Sequence, residues 1–418
     1  MPASRTMTAV DAQMLWSSAK IPNDQFLLYA FDGSPAEPDA AVEELRTRAE
    51  ACDELRLRVV EQGSWRYPRW ERGDVRADQF AVHHGDGVGW GGCLDTVTRL
   101  AADQLELSRM SWRAHVFPHV VDVPGLSGIG AVVVLQVGHA LGDGNRSGAL
   151  AGALLGRPAP VPVPPAVRRG VLPIRAVAAA RAHRALVRDI EAGRVPPPAP
   201  SCPVRSVNQR PRGTPVLRTT VVHRDQLGGP TVTVAALVAI ADALAGYLTR
   251  RGEDPSGLGA EVPMAGGRNM LANNNFRNVG IGLHPDLDRR RRAEAIVTEL
   301  AAQRARSHHP AMLTAAAAFA ATPAPLLRWG VQQFDPDVRS QTVTGNTVVS
   351  SVNRGPADLV FGGCPVVLTA GYPALSPMMS LTHGVHGIGD TIAISVHADP
   401  ANIDVDDYLR KLRAALAG

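Results

Sequence analysis

The run Val132–Gly144, VVVLQVGHALGDG, holds the residue types and spacing best suited to chemistry. Its β-branched content predicts a strand over Gly130–Val137, buried on both faces, that ends just before His139. An imidazole at a strand end is held rigidly, and in its neutral form it takes a proton from a hydroxyl or amine near pH 7. Asp143 follows past a short turn and is expected to fix the loop, with an arginine as its brace. Gly142 and Gly144 allow positive φ and the close approach of a substrate chain. A helix is expected at Asn145–Leu155. A lone histidine after a strand is also an ordinary structural residue, so the chemical reading depends on what flanks it.

Other histidines offer less. His83 and His84 follow Phe80-Ala81-Val82 and read as a strand end. His308 and His309 sit at a helix end, where histidines cap carbonyls. His383 and His386 (THGVHGIGD) lack a third ligand at metal spacing and read as strand and turn, so no metal is expected. Arg289–Arg292 opens a helix and reads as a solvated face, with coenzyme A phosphates or anionic lipid heads as the other reading. No glycine-rich phosphate loop and no G-x-S-x-G elbow occurs, which disfavours nucleotide hydrolysis and serine-esterase chemistry.

The elements that must position His139 fall into two stretches. Proline clusters at Arg157–Val167 and Val195–Val204 flank an arginine-bearing helix, Arg168–Arg194. This gives an N-terminal half, 1–157, a crossover, 158–205, and a C-terminal half, 206–418. In the first half, helices are expected at Ala40–Val60 and Leu94–Leu105 and a strand at Ser111–Phe117. In the second, helices are expected at Thr231–Arg250, Arg291–Arg306 and Val405–Leu416, with strands at Pro215–Val222, Thr344–Val352, Pro365–Ala370 and Thr391–His397. Strands mixed with long helices in both halves indicate an α/β or α+β protein.

The 418 residues exceed one ordinary core, and 45% apolar with 20% charged residues is a globular composition. The net charge of +4 is a weak field on a chain of this size, and with only 5% aromatics its basic segments lack the stacking groups of a single-strand binder, so no nucleic-acid partner is expected. Four well-separated cysteines form neither a disulfide framework nor a zinc pattern, which points to the cytoplasm. Met312–Leu327, the most apolar run, is too short and alanine-rich to span a bilayer. The arginine helix reads first as a brace between the halves and second as a membrane-surface contact.

The order of segments resembles the wax ester synthase/diacylglycerol acyltransferase family, within the superfamily of condensation domains and chloramphenicol acetyltransferase-like enzymes. The likeness runs from about Asp11 (DAQMLW) through Leu105–Trp112 (LELSRMSW), His139, Asn275 with Leu283-His284-Pro285, and Asn353–Pro356 (NRGP) to the C-terminus. His139 matches the second, catalytic histidine of the family's HHxxxDG motif, and Asp143 and Gly144 match its DG. Leu105, Ser108, Arg109 and Trp112 fall on its LDRSRPLW stretch, and Gly355-Pro356 on the end of SNVPGP. Gly138 stands where the family has its first histidine, and Met110-Ser111 where it has Pro-Leu. The resemblance implies an α/β fold of two chloramphenicol acetyltransferase-like halves packed side by side, with a channel between them. It implies direct acyl transfer, without an acyl-enzyme, from acyl-CoA or an acyl carrier protein to a hydroxyl acceptor such as a long-chain alcohol or diacylglycerol. His139 would be the general base and Asp143 structural. Gly138, Trp112, Asn275 and Asn353 would contact substrate or oxyanion. No cofactor is bound permanently, and the partners would be the thioester, the acceptor, a carrier protein and a membrane or lipid-droplet surface. The alternatives are a condensation-type enzyme forming esters or amides in secondary metabolism, and an inactive binding protein of the same fold.

Overall fold

The structure, a computed structural model, describes residues 4–84, 88–165, 170–266 and 271–418. Two sheets carry it. The strand Gly130–Val137 has every residue buried, as its sequence requires, and lies between Gln25–Asp32 and Trp112–Val121, antiparallel to both. Outward from it the first sheet continues through Phe80–Val82 on one side, and through Cys364–Gly371 and Val360–Phe361 on the other. The second sheet runs in the order Val216–His223, Thr391–Ala398, Leu381–Ile388, Thr347–Asn353, Gly259–Ala265, Phe276–Gly282. The mixed α/β architecture of two sheet-centred halves is therefore observed.

The halves exchange chain. Cys364–Gly371 lies in the C-terminal half of the sequence, yet it pairs with Gln25–Asp32 of the first sheet through Val366↔Phe31 to Gly371↔Leu27. It also packs against Leu381–Ile388 and Thr391–Ala398. A boundary drawn at the crossover thus separates most of each sheet but not residues 360–371.

Several elements differ from expectation for identifiable reasons. Ala40–Val60 is a helix only over Pro38–Ala51. Beyond it Leu55, Leu57 and Val59 are buried while Arg58 is exposed, a period of two, and Leu57–Val60 pairs as a strand with Arg69–Arg72. Met312–Leu327 is not one element: the helices Pro310–Ala320 and Ala324–Gln333 meet at 100° across Pro323. Val232–Arg250 is, among the described residues, the one unbroken helix long and apolar enough to cross a bilayer, and 67% of its apolar window is buried inside the protein. It packs against Val405–Ala417 and Arg289–Ser307, and Thr231 caps it by accepting from the Val234 amide.

The crossover helix spans Leu172–Glu191; its expected start at Arg168, like residues 166–167 of the first proline cluster, lies outside the described residues. It packs on Pro310–Ala320, and His309 ties the two together. Its Nδ1 accepts from the Ala311 amide as an N-cap, and its Nε2 meets Asp189 at 3.1 Å. His309 therefore caps amides, not the carbonyls expected of it.

Candidate active site

The strand Gly130–Val137 passes through Gly138 into a single helical turn, His139–Leu141, and Asp143 then caps the helix Gly144–Leu154. Asp143 thus fixes the loop by capping this helix and not through the arginine expected as its brace. Asp143 Oδ1 accepts from the amides of Asn145 and Arg146 at 3.1 and 3.0 Å, and Oδ2 accepts from the Asn275 amide at 2.9 Å. Among the described residues no arginine lies within ion-pair distance of Asp143. Its three amide donors make it a rigid staple between the halves, and it acts on the imidazole through its charge, not through a hydrogen bond. Neither Gly142 (φ 176°) nor Gly144 uses a positive φ; what Gly142 supplies is room, since a Cβ there would come within 2.9 Å of the Arg146 side chain.

Arg146 is fully buried and holds the turn from beneath. Its Nε donates to the Leu141 carbonyl at 2.8 Å, and its guanidinium pairs with Glu54, which also takes Arg5 at 2.9 Å. Arg5 in turn reaches Asn273 Oδ1 at 3.2 Å. This ion network bridges the His139 turn to the asparagine run 273–275 that precedes the strand Phe276–Gly282.

That run orients the imidazole. Asn274 Nδ2 donates to the His139 carbonyl at 2.8 Å and to Asp11 Oδ1 at 3.0 Å, both acceptors. Its Oδ1 therefore faces the ring, 2.9 Å from His139 Nδ1, and accepts the hydrogen carried there. With Nδ1 protonated, Nε2 keeps the lone pair. Asp11 anchors the chain by accepting from the amides of Asn273 and Asn274 and from Thr8 Oγ1. Burial raises the Asp11 pKa against these bonds, and burial lowers that of His139 despite the Asn274 bond and the nearby Asp143 and Asp11. The ring of His139 also stacks on Phe276, 5.8 Å between centroids. A neutral, oriented imidazole results.

His139 lines a cavity of about 310 Å³ between the two sheets. The first half contributes Asp24, Phe26 and the turn 143–145, and the second contributes Phe276, Arg354, His386 and the strand Thr347–Asn353. That strand puts Val348, Ser350, Ser351 and Val352 on the wall; Ser351 Oγ is paired with Thr233 Oγ1 at 2.8 Å, and the hydroxyl of Ser350 stands in the same space as the imidazole. A wider cleft of about 900 Å³, between residues 225–239, 289–298 and 415–418, holds none of these groups.

The four expected substrate contacts lie elsewhere. Gly138 is buried against Leu107, whose side chain a Cβ there would approach to 2.7 Å, so a larger residue requires Leu107 to shift. Trp112 is buried with its Nε1 donating to the Leu55 carbonyl at 2.6 Å. Asn275 staples Asp143 through its amide and sends its Nδ2 to the Gly266 carbonyl. Asn353 is exposed and caps the Gly355 amide at 2.9 Å. Of the remaining candidates, His83 stacks on Phe117 and meets His115 at 3.2 Å. His383 has both nitrogens engaged, by Thr347 and Tyr408, inside the second sheet. Arg292 is buried on Asp242 and on carbonyls at the start of its helix, while Arg290 and Arg291 are solvated. Asn274 was missed by one position; the triple asparagine before Phe276 was its signal. Ser350, Arg354 and His386 carry no comparable signal.

No protein-family model matches the chain, and no curated protein matches it. Solved structures do. The wax ester synthase/diacylglycerol acyltransferase from Marinobacter aquaeolei is 18% identical, with a TM-score of 0.60 over 99% of this chain and 98% of that one. The first condensation domain of the CDA synthetase is 16% identical, with a TM-score of 0.58 over 100% of this chain and 97% of that one. A doubly substituted starter condensation domain of rhizomide synthetase, in complex with C8-CoA and Leu-SNAC, is 16% identical with a TM-score of 0.55 over 99% and 93%. Two sheet-centred halves, a histidine at the end of a central strand and near-complete coverage in each direction give this chain the fold shared by condensation domains and wax ester synthase/diacylglycerol acyltransferases.

Proposed function

We propose that the chain is an acyltransferase that moves an acyl group from a thioester, acyl-CoA or an acyl carrier protein, to a hydroxyl acceptor. The observation that carries this reading is the chain His139–Asn274–Asp11, which leaves an unprotonated Nε2 to a cavity between the halves. His139 Nε2 takes the acceptor's proton as its oxygen attacks the thioester carbonyl. Ser350, the hydroxyl on the same wall, is the donor for the oxyanion that forms. Collapse breaks the C–S bond, and the imidazolium returns its proton to the departing thiolate, so no acyl-enzyme is needed.

The two kinds of solved relative support this reading from different sides, one named for ester synthesis and the other crystallised with C8-CoA and Leu-SNAC. Four free thiols suit a reducing, cytoplasmic setting. Exposed Leu326, Trp329 and Phe334 support the peripheral contact with a lipid surface that the family resemblance implies.

The test is thiol release from octanoyl-CoA and palmitoyl-CoA with a panel of alcohols, diacylglycerols and amines, products read by mass spectrometry. Acceptor-dependent release with ester formation is expected. Amide products alone would move the enzyme to the condensation class, and no release with any pair would leave a binding protein.

The oriented tautomer has its own consequence. Asn274→Leu keeps the branching of the side chain but removes the acceptor at Nδ1, so the ring loses its fixed tautomer. We expect kcat/KM to fall on the order of 100-fold, with the ¹⁵N shifts of His139 changing from one tautomer to a mixture. Unchanged shifts and rate would remove Asn274 from the mechanism.

A further inference from the structure

Among the polar groups of the cavity that the steps above leave unused are Arg354 and His386. Arg354 is only 7% exposed; its guanidinium donates to the Gly144 carbonyl, and its Nε–H is buried without an acceptor. Among the described residues no carboxylate lies within ion-pair distance of it. Asp143 is near enough for its field to be felt, but both its oxygens are occupied by backbone amides. A buried cation with an idle donor is costly to maintain, and it is relieved when a ligand brings the counter-charge.

His386 is its neighbour. Val352 pairs with His386 across the parallel strands, and the Arg354 amide donates to the Gly387 carbonyl at 2.7 Å. The imidazole is 4% exposed with Nδ1 unpartnered. Its space is kept by two glycines, since a Cβ at Gly371 or Gly384 would come within 2.8 Å of the ring. The residue after one strand and a residue of its neighbour thus place one fixed positive charge and one neutral imidazole, each with a buried nitrogen short of a partner, on the wall of the space that His139 lines.

We infer that Arg354 and His386 form a carboxylate subsite, which makes the acceptor a small hydroxy carboxylic acid in place of a plain alcohol or a diacylglycerol. Arg354 is, among the described residues, the one cation on the cavity wall, and it matches one carboxylate, with the Arg354 Nε–H and the imidazole N–H as its donors; the wall's own carboxylates, Asp24 and Asp143, are taken up by Leu105 and Gln136 and by three backbone amides. The volume agrees, because about 310 Å³ holds on the order of ten waters. The word acceptor rests on the acyl-transfer reading; the subsite does not.

The test is calorimetric binding of 4-hydroxybutanoate and 6-hydroxyhexanoate against 1-butanol and 1-hexanol, using the full chain. The acids are expected to bind at least about tenfold tighter, Arg354→Gln to erase the difference and Arg354→Lys to keep part of it. Acids that bind wild type no tighter than the alcohols overturn the subsite, whatever the variants do. So does unchanged acid binding in folded Arg354→Gln. Acid binding through Arg354 without thiol release from octanoyl-CoA would sink acyl transfer and leave the subsite standing. Equal esterification of acids and alcohols, indifferent to Arg354, would do the reverse.

Discussion

His139→Ala is expected to lower kcat/KM for thioester consumption on the order of 1,000-fold, within the range that a positioned general base supplies. The loss should fall on kcat with KM little changed, because the imidazole acts on the proton transferred during attack and the rest of the cavity wall stays in place. The fold should survive. The ring is partly open to the cavity, and its removal strands only Asn274 Oδ1 and the stacking with Phe276. The pH profile is a second readout. Burial lowers the His139 pKa, so the base stays neutral to lower pH than an exposed imidazole, and the acid limb of kcat/KM should lie below about 6.5. That limb should vanish in the variant. A folded His139→Ala protein with an undiminished rate would end the case for catalysis at this site.

Acidification from pH 7 to 5 is expected to remove on the order of 5 kcal/mol of folding stability, comparable to the whole margin of many domains. The cause is a set of histidines buried inside the sheets. Burial lowers His383 to about 3 and His115 and His397 to about 4. A histidine whose folded pKa is depressed contributes fully above its unfolded value near 6.5, and the contribution drains away as pH falls toward the folded value. Near pH 5 each of the three has cost about 2 kcal/mol. His386 acts in the same sense. Asp24 acts in the other: burial raises it to about 6, so its protonation between pH 6 and 4 favours the folded state and offsets about 1 kcal/mol by pH 5. Thermal unfolding followed by circular dichroism should show Tm dropping steeply below pH 6.5. His115→Gln should shallow that drop, and a Tm that is flat from pH 7 to 5 would contradict these buried environments.

What the sequence revealed about this site is what neighbouring residues decide among themselves. A valine-rich strand, a turn and the helix after it lie within 25 residues of chain, from Gly130 to Leu154, and local pattern alone predicts them. The partners of His139 are of another kind. Asn274 lies 135 residues away and is joined to Asp11 across 263 residues, so only the assembled halves bring them together. The same holds for Ser350, Arg354 and His386, which are ordinary strand and loop residues until two sheets face each other. The misread stretch after Ala51 had a different cause: Leu-Arg-Leu-Arg-Val-Val continues a helical run in composition while its burial follows a two-residue period.

The strand exchange sets the order in which the molecule can be completed. Gly130–Val137 is made on the order of 10–45 s before Cys364–Gly371, and Gln25–Asp32 earlier still. Through that interval Gln25–Asp32 offers an open row of amides and carbonyls, and the leucines, tyrosine and phenylalanines along it lack their cover. Nascent chains therefore need shielding until Gly371 has been made, and the cleft holding His139 comes into being only after the strands of both sheets have emerged.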